Sequence, residues 1–202
     1  MQSSRAGAFN ALPGALAICL ILLAGCSPPA PPFNSTEVSG IDYGRGVRLS
    51  DTLGQTRTLE DFDDRVLLVF FGFTSCPDVC PTTLLRLKQL RDALGEAADK
   101  VDVAVITVDP ERDTPERLHA YVKNFDDSFI GLRPEPAELD AVVAAFRAIA
   151  VRVPTRDGEN YTIDHSATIY VYDRRNRLRL IAQPNFDTTA FAADLQRLAA
   201  ER

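Results

Sequence analysis

The segment VLLVFFGFTSCPDVCP, residues 66–81, decides the fold and contains two of the four cysteines of the 202-residue chain. It starts with an unbroken apolar run, Val66–Phe73, that is rich in β-branched and aromatic side chains. A run of this kind, without polar alternation, is typical of a strand buried on both faces of a sheet. Because the cysteines follow directly, we expect Cys76 and Cys80 at the C-terminal end of a central strand.

The patterns on either side of this segment predict an alternation of strands and helices. In chain order they predict a hairpin with strands at Val47–Leu49 and Thr56–Leu59, a helix over Thr82–Leu94 that ends at Gly95, a strand over Val101–Val108, a helix that begins at Pro115, a helix over Glu135–Ala150, strands over Ser166–Tyr172 and Leu178–Ala182, and a helix over Thr188–Ala200. A strand–helix–strand unit followed by an antiparallel hairpin and a final helix is the thioredoxin arrangement. We therefore predict an α/β, thioredoxin-like fold with a central mixed sheet flanked by helices and an N-terminal β-hairpin.

The first 25 residues have the features of a secretory signal peptide. Arg5 precedes an apolar core at Ala15–Ala24, which is too short to cross a membrane as a helix. The sequence Leu23-Ala-Gly-Cys26 resembles the cleavage site of bacterial lipoproteins, at which the cysteine becomes the N-terminus and carries lipid. We therefore expect a lipid anchor at Cys26 that holds the protein on the extracytoplasmic, periplasmic face of a bacterial membrane.

A proline-rich stretch, Ser27–Pro32, follows the predicted anchor and favours an extended spacer. We predict a lipoprotein signal peptide over residues 1–25, a proline-rich tether over residues 26–40 and one folded domain over residues 41–202. Apart from the cysteine expected to carry lipid, Cys76 and Cys80 are then the thiols of the mature protein.

The charge of the chain argues against a nucleic-acid partner. It has 22 basic and 28 acidic residues, a formal net charge of −6, which becomes −7 when Arg5 is removed with the signal peptide. Phosphate recognition needs clustered Lys or Arg, and the sequence has no extended basic run.

The two thiols stand where a helix is expected to begin. Unpaired N–H groups and the helix dipole stabilise a thiolate at such a position. The four-residue spacing puts Cys76 and Cys80 on one helix face, so that their sulfurs can form a disulfide or bind one metal ion. A structural disulfide over so short a loop would remove little chain entropy, so we interpret the pair as redox-active or metal-binding.

The two histidines differ in their surroundings. His119 shares a predicted helix face with Lys123 and Asp126, so we interpret it as a solvated surface residue. His165 stands at the entry of a strand that, in a thioredoxin-like sheet, lies beside the helix carrying the cysteines. Two thiolates and one imidazole form a soft, three-coordinate donor set that favours Cu(I), because structural zinc takes four protein ligands. Asp164 is expected to orient the imidazole or to attract the cation.

Three segments resemble the Sco/SenC family of copper proteins. They are FFGFTSCPDVCPTTL (residues 70–84), ITVDPERDTPERL (residues 106–118) and DHSATIYVYD (residues 164–173). Their order and separation also fit that family, and the resemblance extends over about Val47–Leu198. It implies a thioredoxin fold and attachment to a membrane.

The resemblance also implies ligands and partners. The matching residues Cys76, Cys80 and His165 would bind one copper ion, as Cu(I) and, in a state the sequence leaves open, Cu(II). The implied role is that of a metallochaperone in assembly of the binuclear copper centre of cytochrome c oxidase subunit II, by metal delivery or by thiol reduction. Other copper chaperones or thiol reductants are further expected partners.

An extracytoplasmic thiol-disulfide oxidoreductase is the alternative function. Three residues separate the cysteines where the usual thioredoxin site has two, and no proline precedes the strand at Ala167, where a cis-proline would be expected. A peroxidase is disfavoured because Phe73 and Pro77 occupy positions of its Thr-x-x-Cys pattern. We therefore expect a metallochaperone rather than an enzyme.

Overall fold

A computed structural model gives the structure of residues 31–156 and 160–201. The predicted signal peptide and the predicted lipidation site, Cys26, lie outside the described residues. Within the described part of the chain, no helix is both long and apolar enough to cross a membrane.

Strands and helices alternate along the described chain. The strands are β1 (Thr36–Glu37), β2 (Leu49–Asp51), β3 (Thr56–Arg57), β4 (Val66–Gly72), β5 (Val101–Thr107), β6 (Ile130–Arg133), β7 (Ala150–Pro154), β8 (Tyr161–His165), β9 (Ile169–Tyr172) and β10 (Leu178–Ala182). The α-helices are α1 (Val79–Leu94), α2 (Pro115–Lys123), α3 (Leu139–Ala145) and α4 (Thr188–Ala200). Eight strands form one mixed sheet in the order β1-β10-β9-β4-β5-β6-β2-β3, and β7 pairs with β8 in a separate two-stranded sheet. The predicted thioredoxin-like fold is confirmed, including the antiparallel hairpin of β2 and β3.

The apolar run of the opening segment forms β4, which lies inside the sheet. All seven of its residues are buried. It pairs in parallel with β5, from Val66 opposite Val101 to Gly72 opposite Thr107, and antiparallel with β9 on its other edge. Because both edges and both faces are covered, every position of this strand tolerates only apolar side chains or glycine. The C-terminal end of β4 is thereby held in place, and the thiol-bearing loop starts there.

Helices α1, α2 and α4 begin close to their predicted first residues. Helix α1 begins at Val79 rather than at Thr82, and it packs against α4. Helix α2 begins at Pro115, and the side chain of Thr114 caps it by accepting a hydrogen bond from the backbone N–H of Arg117 at 3.3 Å. Thr114 is therefore the N-cap residue of α2.

The helix predicted over Glu135–Ala150 is wrong in its second half. Helix α3 ends at Ala145, and Arg147 has a φ of 53°, which a continuing right-handed helix cannot contain. The apolar residues after this break form β7 instead, and they pair with β8. The alanine-rich composition favoured one long helix, whereas packing of Phe146 against Phe71 and Tyr170 ends it.

The folded domain begins before the predicted boundary at Ile41. The backbone N–H groups of Asn34 and Ser35 donate to the two carboxylate oxygens of Asp194 on α4, at 3.0 and 2.8 Å. Strand β1 follows and pairs with β10 at the edge of the sheet. The compact unit therefore starts at Phe33, and part of the segment predicted as tether belongs to the domain.

Candidate metal centre

The first thiol occupies the N-terminus of α1. Cys76 lies in the loop after β4, and its sulfur accepts a hydrogen bond from the backbone N–H of Cys80 at 3.4 Å. The N-cap residue, Asp78, makes no side-chain cap hydrogen bond. The sulfur of Cys76 thus takes up an N–H group that a helix N-terminus otherwise leaves unpaired, and the positive end of a 16-residue helix faces it.

The second thiol is enclosed by the sheet. Cys80 is fully buried, whereas Cys76 is half-buried. A Cβ atom added to Gly72 would lie 3.2 Å from the sulfur of Cys80, so the glycine that ends β4 makes the room for this sulfur. The apolar pattern alone does not indicate a role for Gly72, although it is the one residue without a side chain in the apolar run.

His165 completes the site from the end of β8. Its Nε2 atom lies 3.3 Å from the sulfur of Cys80. The ring packs edge-on against Phe70 and Phe73, with centroid separations of 6.2 and 5.8 Å. Its Nδ1 atom lies 3.0 Å from the carbonyl oxygen of Ser166. Because a carbonyl only accepts, Nδ1 carries the hydrogen in this contact, which leaves the lone pair of the neutral ring on Nε2, toward the thiols.

The structure brings the three predicted ligand residues together. The two sulfurs and a ring nitrogen of His165 all lie within 4.8 Å of one another, and among the described residues Cys76, Cys80 and His165 are the group that could hold a metal ion. Asp164 is exposed and lines the cavity beside the site. The contact that orients the imidazole comes from the carbonyl of Ser166, and an attraction of Asp164 for the cation stays a prediction.

His119 lies outside this group, as expected, but it is not simply solvated. Its side chain is half-buried, and its Nδ1 atom lies 2.9 Å from the hydroxyl oxygen of Thr52. Helical periodicity predicts which residues share a helix face with His119, but it does not predict that the loop containing Thr52 packs over this side chain.

The two thiols are electrostatically unequal. A hydrogen bond from the thiol of Cys80 lowers the pKa of Cys76 to about 4 against the opposing effect of burial, and the backbone N–H groups of Cys80 and Asp78 lower it further. The same hydrogen bond, together with burial, raises the pKa of Cys80. In the reduced, metal-free protein the site therefore holds one thiolate and one thiol at neutral pH.

A buried carboxylate that no local sequence pattern indicates supports the thiol loop. Asp113 has no exposed surface and accepts hydrogen bonds from the backbone N–H and the hydroxyl of Thr74, at 3.1 and 2.6 Å. The hydroxyl of Thr107 donates to it at 2.6 Å. Because Asp113 stands directly before the capping threonine of α2 in a polar stretch, the sequence alone does not indicate that it is a buried acceptor.

The site opens on one side to a surface cavity of about 400 Å³. Cys76 and Val79 line it on the side of α1, and Ile163 and His165 line it on the side of β8. The half-buried sulfur and the imidazole are therefore reachable from solvent, whereas the sulfur of Cys80 is reachable only through them.

A thioredoxin-like domain with two thiols and an imidazole around one point defines a protein that handles a soft metal ion or a disulfide. The chain belongs to the SCO1/SenC family, whose model matches residues 37–200. An SCO2-like protein of Rickettsia prowazekii is 38% identical over 167 residues, which cover 81% of this chain and 80% of the relative.

Two solved structures with copper bound are similar to this chain. Bradyrhizobium japonicum ScoI is 41% identical with a TM-score of 0.71, over 77% of this chain and 99% of that one. Arabidopsis thaliana ScoI is 29% identical with a TM-score of 0.72, over 78% of this chain and 98% of that one.

The inequality of the thiols predicts a pH profile for alkylation. In the reduced, metal-free protein we expect iodoacetamide to modify Cys76 at a rate that follows its thiolate fraction, with a midpoint near pH 4, and to leave Cys80 unmodified. Because the pKa is lowered, the rate falls only when the pH drops through that midpoint. Peptide mapping by mass spectrometry after timed labelling measures both sites.

Two substitutions test the cause of the lowered pKa. Cys80→Ala removes the largest contribution, so the midpoint for Cys76 should rise toward the ordinary thiol value of 9.0. Cys80→Ser keeps a hydroxyl donor and should shift it less. A wild-type midpoint above about pH 8 would contradict the assignment of Cys76 as the thiolate.

Proposed function

We propose that this protein is a copper metallochaperone that carries one Cu(I) ion between Cys76, Cys80 and His165. The observation that carries the proposal is the convergence of two sulfurs and one imidazole nitrogen within 4.8 Å, with the lone pair of His165 Nε2 directed at the thiols. The copper-bound relatives support the choice of metal.

The donor set fits Cu(I) better than it fits other common metal ions. Thiolate sulfur and imidazole are soft or borderline ligands, and Cu(I) accepts low coordination numbers. Structural zinc would require a fourth protein ligand, and within the described chain the group comprises three residues. Copper and proton compete for Cys80, because this thiol is protonated in the metal-free protein and must lose its proton to bind. Loading therefore releases a proton and is favoured by rising pH.

We further propose that the cargo is destined for the binuclear copper centre of cytochrome c oxidase subunit II. This target is what membership of the SCO1/SenC family and the resemblance of the three sequence motifs imply. The cavity beside Cys76 and His165 leaves both ligands accessible to an acceptor, as a transfer by ligand exchange requires.

Thiol-disulfide exchange is the second candidate function, and one observation favours it. The half-buried thiolate of Cys76 is placed to attack a disulfide, and the buried thiol of Cys80 is placed to resolve the mixed disulfide that forms. Both functions use the same reduced pair, so they differ in whether His165 and a metal ion are needed.

Metal analysis of ligand variants separates the two functions. After loading with Cu(I) under reducing conditions, we expect about one copper per chain in the wild type and no stoichiometric copper in Cys76→Ser or Cys80→Ser. His165→Ala should weaken Cu(I) binding by more than the roughly 10-fold typical of a change outside the ligand shell, while its disulfide still forms. A competing chromophoric chelator reports the affinity.

His119→Ala is the matched control, because it removes the other histidine and leaves the site intact. It should bind copper as the wild type does. If none of the proteins, wild type included, holds stoichiometric copper and the wild type still reduces a disulfide substrate, the oxidoreductase function would replace the proposal.

Oxidation should release the metal. Conversion of Cys76 and Cys80 to a disulfide removes two of three ligands. The two thiolate sulfurs pass two electrons to an added oxidant such as diamide, which takes up two protons from water. We expect copper bound to the protein to fall to near zero as the free thiol content falls, measured by gel filtration and metal analysis. Stoichiometric copper in the disulfide form would rule out the two sulfurs as ligands.

We propose that Cys26 carries a lipid that anchors the protein. The protein is then a lipoprotein on the periplasmic face of a bacterial membrane. In cells expressing the chain, Cys26→Ser should abolish incorporation of labelled fatty acid and, since processing at this site is also lost, leave an unprocessed precursor. Normal labelling of Cys26→Ser would contradict a lipid at this residue.

A further inference from the structure

The imidazole of the site is carried by a hairpin outside the main sheet. His165 is the last residue of β8 and lies opposite Ala150 of β7. Among the described strands, β7 and β8 pair only with each other. Apart from its chain connections to α3 and β9, the hairpin is therefore positioned by side-chain contacts with the body of the domain.

Tyr161, at the opposite end of β8, makes the strongest polar contacts of that kind. Its hydroxyl donates to a carboxylate oxygen of Asp109 at 2.8 Å, and its carbonyl oxygen accepts from Nη1 of Arg112 at 3.0 Å. The guanidinium carbon of Arg112 also lies 3.8 Å from the centroid of the Tyr161 ring. Asp109 has no exposed surface and forms an ion pair with Arg112. Hydrogen bonds to a buried carboxylate are stronger than those between neutral groups, so this cluster holds β8 firmly.

An ion pair on β7 also links the hairpin to the loop before α2, but it constrains the hairpin less. Arg152 on β7 contacts Glu111 at 2.8 Å, but the two side chains are 44% and 52% exposed. Water screens such a pair, which therefore contributes little to the position of the hairpin.

The loop Asp109–Asp113, which contacts Tyr161, also contacts the segment that carries the thiols. Asp113 binds the backbone and the hydroxyl of Thr74, two residues before Cys76. The backbone N–H of Asp113 donates to the carbonyl of Asp109 at 2.9 Å, so the two buried carboxylates belong to one tight turn. One end of this turn contacts the segment that carries the thiols, and the other end contacts the hairpin that carries the imidazole.

We infer that the loop Asp109–Asp113 sets the separation between the thiols and the imidazole, and that Tyr161 is a positioning residue for His165. The inference rests on the proposed copper function for its main readout. Tyr161 does not touch the ligand atoms, and it acts through the position of β8.

Copper affinity of Tyr161→Phe tests this role in the full protein. The substitution keeps the ring over Arg112 and removes only the hydrogen bond to Asp109. We expect Cu(I) affinity, measured by competition with a chromophoric chelator, to fall by about 10-fold, as for other changes just outside a ligand shell. Tyr172→Phe is the matched control, because it removes a tyrosine hydrogen bond of the same 2.8 Å length, to the carbonyl of Tyr43, away from the hairpin. Its affinity should stay within about twofold of the wild type.

A double-mutant cycle distinguishes positioning from general damage. If Tyr161 acts through His165, the Tyr161→Phe change should have no further effect in a His165→Ala background. An equal loss in both backgrounds, or no loss in the wild-type background, would overturn the inference.

A readout without copper keeps the inference independent of the proposed function. In the reduced, metal-free protein, Tyr161→Phe should speed hydrogen exchange of the backbone amides of β7 and β8 and leave those of β9 and β10 unchanged. Tyr172→Phe should not speed exchange in the hairpin. Unchanged exchange in β7 and β8 would overturn the inference, whereas a wild type that binds no copper but shows the faster exchange in the variant would overturn only the proposed function.

Discussion

The burial of β4 between β5 and β9 is the constraint on which the rest of the structure depends. A strand that is paired on both edges and covered on both faces cannot shift register without moving its whole set of apolar side chains. The position of the residues that follow this strand is therefore fixed. Gly72 ends the strand, and α1 begins at Val79, so the thiol of Cys76 meets the helix N-terminus in the short loop between them.

The two sides of the site are built with different stiffness. The thiols come from the end of a central strand and the first turn of a helix, where backbone hydrogen bonds fix their positions. The imidazole comes from a hairpin that relies on the packing of Ile163 and on polar contacts of Tyr161. The hairpin lacks the backbone hydrogen bonds that tie the other strands into the main sheet, which makes it the more sensitive half of the site.

Local patterns in the sequence predict the central strand, the helix after it and the pair of thiol ligands. The apolar run predicted β4, the leucine spacing predicted α1, and the thiol spacing predicted a shared site. The approach of His165 to Cys80 spans 85 positions and could be expected only from the topology of the fold.

The supporting residues were less predictable, for physical reasons. Amino-acid composition does not reveal the positive φ of Arg147. The alanine-rich composition therefore predicts helix through the turn that separates α3 from β7. Asp109 and Asp113 stand in a polar stretch before α2, and no local pattern in the sequence indicates that they are buried. Their burial depends on donors such as Thr74 and Tyr161, which come from distant segments that only the folded chain brings together.

The spacing of the ligands along the chain has a consequence for how the protein matures. A polypeptide emerges from synthesis with its N-terminal residues first, so both thiols appear well before His165 does. Because they stand four positions apart, Cys76 and Cys80 can meet and oxidise in a chain that has no tertiary structure. The third donor arrives only when the hairpin has docked on the finished sheet. A disulfide between Cys76 and Cys80 therefore does not indicate that folding is complete. Binding of an ion by all three donors, in contrast, requires complete folding.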